Sequence, residues 1–176
     1  MKTLCTVMAK NVYLENDAVI SECGKYRYLL RRVWDYAKPR ALFIMLNPST
    51  ADAKQDDATI RSCVRLLARL GYGSMEVTNL MAWRATKPDD IPDKPTLVMG
   101  SDNSRIIEAA VHRCDIVICA WGAHPYARRF AGGVLDIISL HRPAAYCFGK
   151  TKAGAPKHPL YIKSGSMLEV FQNNHA

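Results

Sequence analysis

The sequence predicts an α/β domain: a three-layer α/β/α arrangement around a mainly parallel four-stranded central sheet, with an N-terminal antiparallel hairpin. Three observations predict it. Short apolar runs bounded by turn residues, Leu42–Leu46 above all, read as buried parallel strands. Stretches of helical period alternate with them, as α/β topology requires. Polar clusters then follow the apolar runs directly, where ligands bind in open α/β sheets.

The chain of 176 residues suits a single domain spanning 1–176, with irregular ends expected over 1–17 and 164–176. Ala18–Glu22 and Tyr26–Trp34 read as a hairpin turning at Cys23-Gly24-Lys25. Tyr26, Tyr28 and Leu30 alternate with Arg27, Leu29 and Arg31, which suits a half-exposed edge. After the Leu42–Leu46 strand, Pro48 stiffens a turn by fixing φ. Asp57–Leu70 is amphipathic, with Ile60, Cys63, Val64, Leu67 and Leu70 at helical spacing and Gly71 as the stop. Arg61, Arg65 and Arg69 form a basic stripe on another face. Met75–Leu80 is the next strand, Lys87–Pro95 a proline-rich loop and Asp102–Arg113 a helix. The strand Asp115–Ala120, the helix Tyr126–Leu140 and the strand Ala144–Phe148 follow. Gly149–Pro159 is a lysine-rich loop.

Composition narrows the function. Hydrophobic residues make up 49% and charged residues 23%, an ordinary globular balance. No run of about 18 apolar residues exists to span a membrane, and the N-terminus turns polar too early for a secretory signal. A cytoplasmic protein without membrane contact is expected. The six cysteines contain no C-x-x-C pair, so free thiols are expected rather than a zinc or iron–sulfur centre. The net charge of +8 favours an anionic partner, with nucleic acid or a nucleotide foremost.

Four polar clusters follow the four core strands: Asn47-Pro48-Ser49-Thr50, Thr78-Asn79-Leu80, Trp121-Gly122-Ala123-His124 and Lys157-His158-Pro159. At consecutive parallel strand ends these converge on one crevice. There is no G-x-G-x-x-G, P-loop, H-E-x-x-H or G-x-S-x-G motif, and no cofactor is expected. Asp52, Asp56 and Asp57 offer an alternative magnesium site, although Asp56 and Asp57 also stand where a helix N-cap wants negative charge.

The segments RYLLRRVWD, LFIMLNPSTADAKQDDATIRSC, GYGSMEVTNLMAWRAT, ICAWGAH and GKTKAGAPKHPLY, spread over Tyr26–Tyr161, resemble the DUF1643 family, whose function is unassigned. The strand ends more distantly resemble the uracil-DNA glycosylase superfamily. Met45-Leu46-Asn47-Pro48-Ser49 is similar to the G-I-N-P-G turn of its mismatch-specific uracil/thymine branch, and Thr78–Thr86 to the T-N-(L/M)-V-x-R-x-T stretch. Ile118–Gly122 resembles a hydrophobic strand ending in W-G, and His158-Pro159 the closing motif.

That resemblance implies a uracil-DNA glycosylase-like fold and metal-free hydrolysis of an N-glycosidic bond of a nucleobase. Asn47 would orient the water and His158 would stabilise the departing base. Asn79 would read the base edge, where an amide matches one donor and one acceptor. Pro48, Ser49, Thr50, Trp83, Trp121, Gly122, His124 and Pro159 would line the substrate pocket, with Trp83, Tyr126 or Phe43 as a stacking face. The motif glycines are replaced by Met45 and Ser49, and Leu160 stands where a small polar phosphate-binding residue is usual. Arg128, Arg129, Lys150, Lys152 and Lys157 would contact phosphate instead. The alternatives are a non-catalytic binder of modified bases or nucleotides, a small-molecule nucleoside or nucleotide hydrolase, and a metal-dependent phosphohydrolase built on the three aspartates.

Overall fold

The structure, a computed structural model, describes residues 13–163 and 165–173. The strands are β1 (Glu15–Ile20), β2 (Arg27–Val33), β3 (Arg40–Met45), β4 (Ser74–Asn79), β5 (Ile116–Cys119), β6 (Ala144–Cys147) and β7 (Glu169–Asn173). The helices are α1 (Ala58–Arg69), α2 (Pro95–Met99), α3 (Asn103–Arg113) and α4 (Pro125–His141), with 3₁₀ turns at Pro88–Asp90 and Pro159–Tyr161. All seven strands form one sheet in the order β1-β2-β4-β3-β5-β6-β7.

This corrects the expected fold. The sheet is mixed and seven-stranded, not a mainly parallel four-stranded sheet of the uracil-DNA glycosylase kind. β3 pairs in parallel with β4 and β5, and β5 with β6. β1–β2, β2–β4 and β6–β7 are antiparallel, so β2 and β7 run against the central strands and β1 runs with them. The hairpin is continuous with the sheet because β2 hydrogen-bonds β4 from Leu30–Val77 to Val33–Ser74. β7 lies in the stretch expected to be an irregular tail, and β1 begins inside the expected irregular N-terminus. Residues 1–12, with Cys5, and residues 164 and 174–176 fall outside the described residues.

Alternation in β3 explains the layering. Ala41, Phe43 and Met45 face α1 in one core that includes Ile60, Cys63, Val64 and Leu67. Leu42 and Ile44 face the other core, with Ile107 and Val111 of α3 and Val134 and Ile138 of α4. A strand buried on both sides needs a continuous apolar run, which is what Leu42–Leu46 supplies. The proline-rich loop carries one further element, α2, opened by Pro95 at its first turn, where the missing amide costs nothing. Cys63, Cys114, Cys119 and Cys147 are buried free thiols and Cys23 an exposed one. No helix of the described residues is long and apolar enough to cross a membrane.

Candidate functional site

The carboxyl ends of β3, β4 and β5 meet the 3₁₀ turn at Pro159–Tyr161 and the first turn of α1 around a cavity of about 510 Å³. Asn47, Ser49, Asn79, Trp121, Gly122, His124 and His158 all line it, so residues far apart in the chain share one space.

Asn47 holds its own wall in place. Its Nδ2 donates to Pro48 O at 3.1 Å and Ala85 O at 2.8 Å, while the Ala85 amide returns to Pro48 O at 2.9 Å. Both amide hydrogens are thereby used, and Oδ1 is left to accept. Asn79 is the opposite case. It is 1% exposed, and neither Nδ2 nor Oδ1 has a partner, although most buried polar atoms in folded proteins are paired. Its backbone carbonyl is satisfied by Asn103 Nδ2 at 3.0 Å. The strand end is therefore secured, and the side-chain amide of this lining residue is left without a partner.

His158 caps the 3₁₀ turn, its Nδ1 accepting from the Leu160 amide at 3.4 Å. That bond selects the tautomer with hydrogen on Nε2. Burial lowers the pKa, opposed only by the charge of Asp57, so the imidazole is neutral at pH 7. Gly122, at φ 76°, makes the turn beside it and donates to Pro156 O at 2.9 Å. An L side chain would be strained at that φ, so glycine is what brings the Trp121 segment alongside His158. His124 is the N-cap of α4, accepting from the Tyr126 amide at 3.3 Å.

Other expected residues are placed elsewhere. Thr50 and Trp83 line a neighbouring pocket with Lys25 and Arg84, which Ser49 borders as well. Pro48 and Pro159 are buried; their carbonyls accept from Ala85 and from Ser62 Oγ. Phe43 is sealed against Phe148, with ring centroids 6.3 Å apart, and offers no stacking face. Arg128 lines a second pocket behind Trp121. Arg129 pairs with Asp93 at 2.8 Å, Lys150 lies 5.6 Å from the Phe171 ring, and Lys152 is exposed. With Lys157, these basic residues stay outside the main cavity.

The three aspartates do not converge on an ion. Asp52 accepts from the Lys54 and Gln55 amides, Asp56 pairs with Arg32 at 2.9 Å, and Asp57 caps α1 through the Ile60 amide at 2.9 Å. Among the described residues the cluster able to share a metal is Glu108, His112 and His141, away from this cavity.

Among the lining residues that the sequence reading did not assign to the site are Arg27, Asp57 as a cavity carboxylate, and Tyr161. Arg27 looked like the exposed phase of a hairpin, yet it is 3% exposed. Asp57 carried a signal, but one already explained by helix capping. Tyr161, close to His158 at 6.1 Å between rings, carried none.

A family model described as a protein of unknown function, DUF1643, matches residues 27–160. No curated protein matches the chain. Among solved structures, a hetero-hexameric glutamate dehydrogenase from Thermus thermophilus in its leucine-bound form is similar at 16% identity. The match covers 80% of this chain and 33% of that one, with a TM-score of 0.37, so the chain spans about a third of that protein's length.

Proposed function

The chain belongs to the DUF1643 family, and from that premise we propose that its cavity binds a nucleobase and hydrolyses the N-glycosidic bond that carries it. The observation that carries the reading is the orphaned amide of Asn79 in the same lining as Asn47 and His158. A buried donor–acceptor pair without a protein partner is destabilising unless a ligand completes it. A pyrimidine or purine edge offers the matching acceptor and donor.

The chemistry asks for little else. As the bond between the sugar C1′ and the base nitrogen breaks, positive charge grows on the sugar and negative charge on the base. Neutral His158, held by Leu160 at Nδ1, presents Nε2–H to a base oxygen where that negative charge develops. Asn47 Oδ1 accepts from the incoming water, whose oxygen bonds to C1′; Asp57, in the same lining, is available to take its proton. The base leaves with the bonding electron pair and is then protonated. Trp121 and Tyr161 supply aromatic surface for the ring. The likeness to uracil-DNA glycosylases supports this reading only at the short motifs around Asn47, Asn79 and His158. The mixed sheet gives it no support.

The test is a screen of nucleosides, nucleotides and oligonucleotides with normal and modified bases, scored by free base released. Release that falls in Asn47→Ala and His158→Ala, both still folded, supports the assignment. Release unchanged in both variants removes it. Binding without release by the parent protein makes it a base-binding protein instead.

A further inference from the structure

Base recognition leaves one charge in the cavity unused. Arg27 opens β2 at 3% exposure, and its Nη1 donates to Ala51 O at 2.7 Å. Its Nε has no partner, and no described carboxylate lies within ion-pair distance of its guanidinium. Asp57 and Asp52 act on it only through space, and Arg84 and Arg32 oppose them. Burial lowers its pKa to about 10, which leaves it charged at neutral pH. A buried cation lacking an ionic partner is costly, and a ligand anion is the natural completion.

A second feature points the same way. Ala58, Thr59 and Ile60, the first turn of α1, line the same cavity. The Ile60 amide is taken by Asp57, but the Ala58 and Thr59 amides precede the first intrahelical bond and have no described acceptor. Such amides and the helix dipole favour an anion. Asp57, the sole carboxylate among the described lining residues, holds this helix through Oδ1 as its cap.

We propose that Arg27 and the first turn of α1 form an anion subsite for the terminal phosphate of a nucleoside monophosphate, making the substrate of this cavity a free nucleotide. The base half of this statement rests on the reading above; the anion half rests on Arg27 and the first turn of α1. A monoester phosphate is a chain end and can enter to meet a buried guanidinium, whose planar fork suits two phosphate oxygens. A phosphodiester continues on both sides and stays at the rim, where the basic residues of the Gly149–Pro159 loop do not line the cavity. The space suits the assignment, since about 510 Å³ falls inside the ordinary range for small-ligand pockets.

Calorimetric titration at low salt tests this with inorganic phosphate, with uridine and thymidine, and with their 5′-monophosphates. The parent protein should bind inorganic phosphate, and folded Arg27→Met should bind it at least tenfold more weakly. Each monophosphate should bind at least tenfold more tightly than its nucleoside, with that advantage gone in Arg27→Met. Parent protein that does not bind phosphate, or Arg27→Met that binds it as the parent does, overturns the subsite. The nucleoside comparison needs no variant, so it decides the matter even if Arg27→Met fails to fold. Phosphate binding that depends on Arg27 without any nucleoside binding keeps the subsite and discards the base reading. Nucleoside binding with no gain from the phosphate does the reverse. A single-stranded oligonucleotide binding more tightly than the monophosphates rules out the free nucleotide.

Discussion

Two arginines on one strand, five residues apart, are buried to almost the same depth and treated in opposite ways. Arg32, 1% exposed, sits in a closed network. Its Nε donates to Asp56 at 2.9 Å, Nη1 to the carbonyls of Arg31 and Asp17, and Nη2 to Asp52 O. Tyr13 OH also donates to Asp56, and its ring lies 5.4 Å from the guanidinium. Arg27, 3% exposed, has one carbonyl and a cavity. The same contrast recurs on β4. Glu76, deep toward the strand's start, is met by Arg113 at 2.8 Å and Arg40 at 3.4 Å, whereas the Asn79 side chain at its end is met by nothing. The charges of Arg32 and Glu76 are paired, whereas Arg27 Nε and the Asn79 side-chain amide, in residues that line the cavity, have no partner. That difference separates groups that hold the fold from groups that await a ligand.

Substitution should widen the contrast. Arg32→Met strands Asp56 inside the protein, and breaking a buried pair from one side costs about 3–5 kcal/mol. For a domain of this size that lowers Tm by roughly 6–20 °C. Arg27→Met removes a charge that has no ion-pair partner, and its Tm should match or exceed the parent's. Thermal melts of the two variants side by side check this, and equal losses would erase the distinction.

His158→Ala comes next in size. Removing one donor to a developing anion typically lowers a rate about 10²–10³-fold, or roughly 3–4 kcal/mol. Base release should fall by that factor while the melting curve changes little, because the imidazole's structural bond is a long one to Leu160. Asn79→Leu should give a smaller effect of opposite sign. An orphaned buried amide costs about 1–3 kcal/mol, so the variant should resist urea better than the parent while losing affinity for base. A destabilised Asn79→Leu would mean the amide is not open after all.

The sequence made part of this contrast readable. Asn47 follows the apolar run Leu42–Leu46 directly and Asn79 closes β4, and a polar residue there marks a strand end in an α/β sheet, while His158 was read from its short motif in the loop after β6. Arg27 gave no such sign. Its alternation with Tyr26 and Tyr28 matches an exposed face, yet the side chain is buried and donates to Ala51 O, 24 residues on. Alternation reports which face a residue takes, not what a distant loop lays over that face. β7 was hidden for a related reason: five residues, Glu169–Asn173, paired to β6 across a register shift at Ala145–Tyr146. The hairpin was visible, but its pairing with β4, and hence the mixed sheet, depends on contacts remote in sequence.

The smallest expected effect is the pH dependence of His158, and it tests whether the open end is as dry as its neutral imidazole implies. Burial holds this group below the ordinary histidine value of about 6.5. Protonation is also opposed by geometry, because a proton on Nδ1 would face the Leu160 amide, itself a donor. Between the folded pKa and about 6.5 the unfolded chain binds more protons than the folded one. His158 therefore subtracts stability as pH falls through that window, and the loss stops growing below the folded pKa. His158→Gln, which keeps an acceptor but cannot be protonated, should lose less Tm than the parent between pH 7.5 and 5, by a few degrees, since about 1 kcal/mol moves a domain of this size by roughly 2–4 °C. Base release should follow the opposite logic to an acid-driven enzyme: level near neutrality, where Nε2–H is the donor and Nδ1 stays bonded, and falling once acid breaks that bond. Identical acid slopes for parent and variant would place His158 in contact with bulk water and take away the low-dielectric setting on which its role as an anion donor depends.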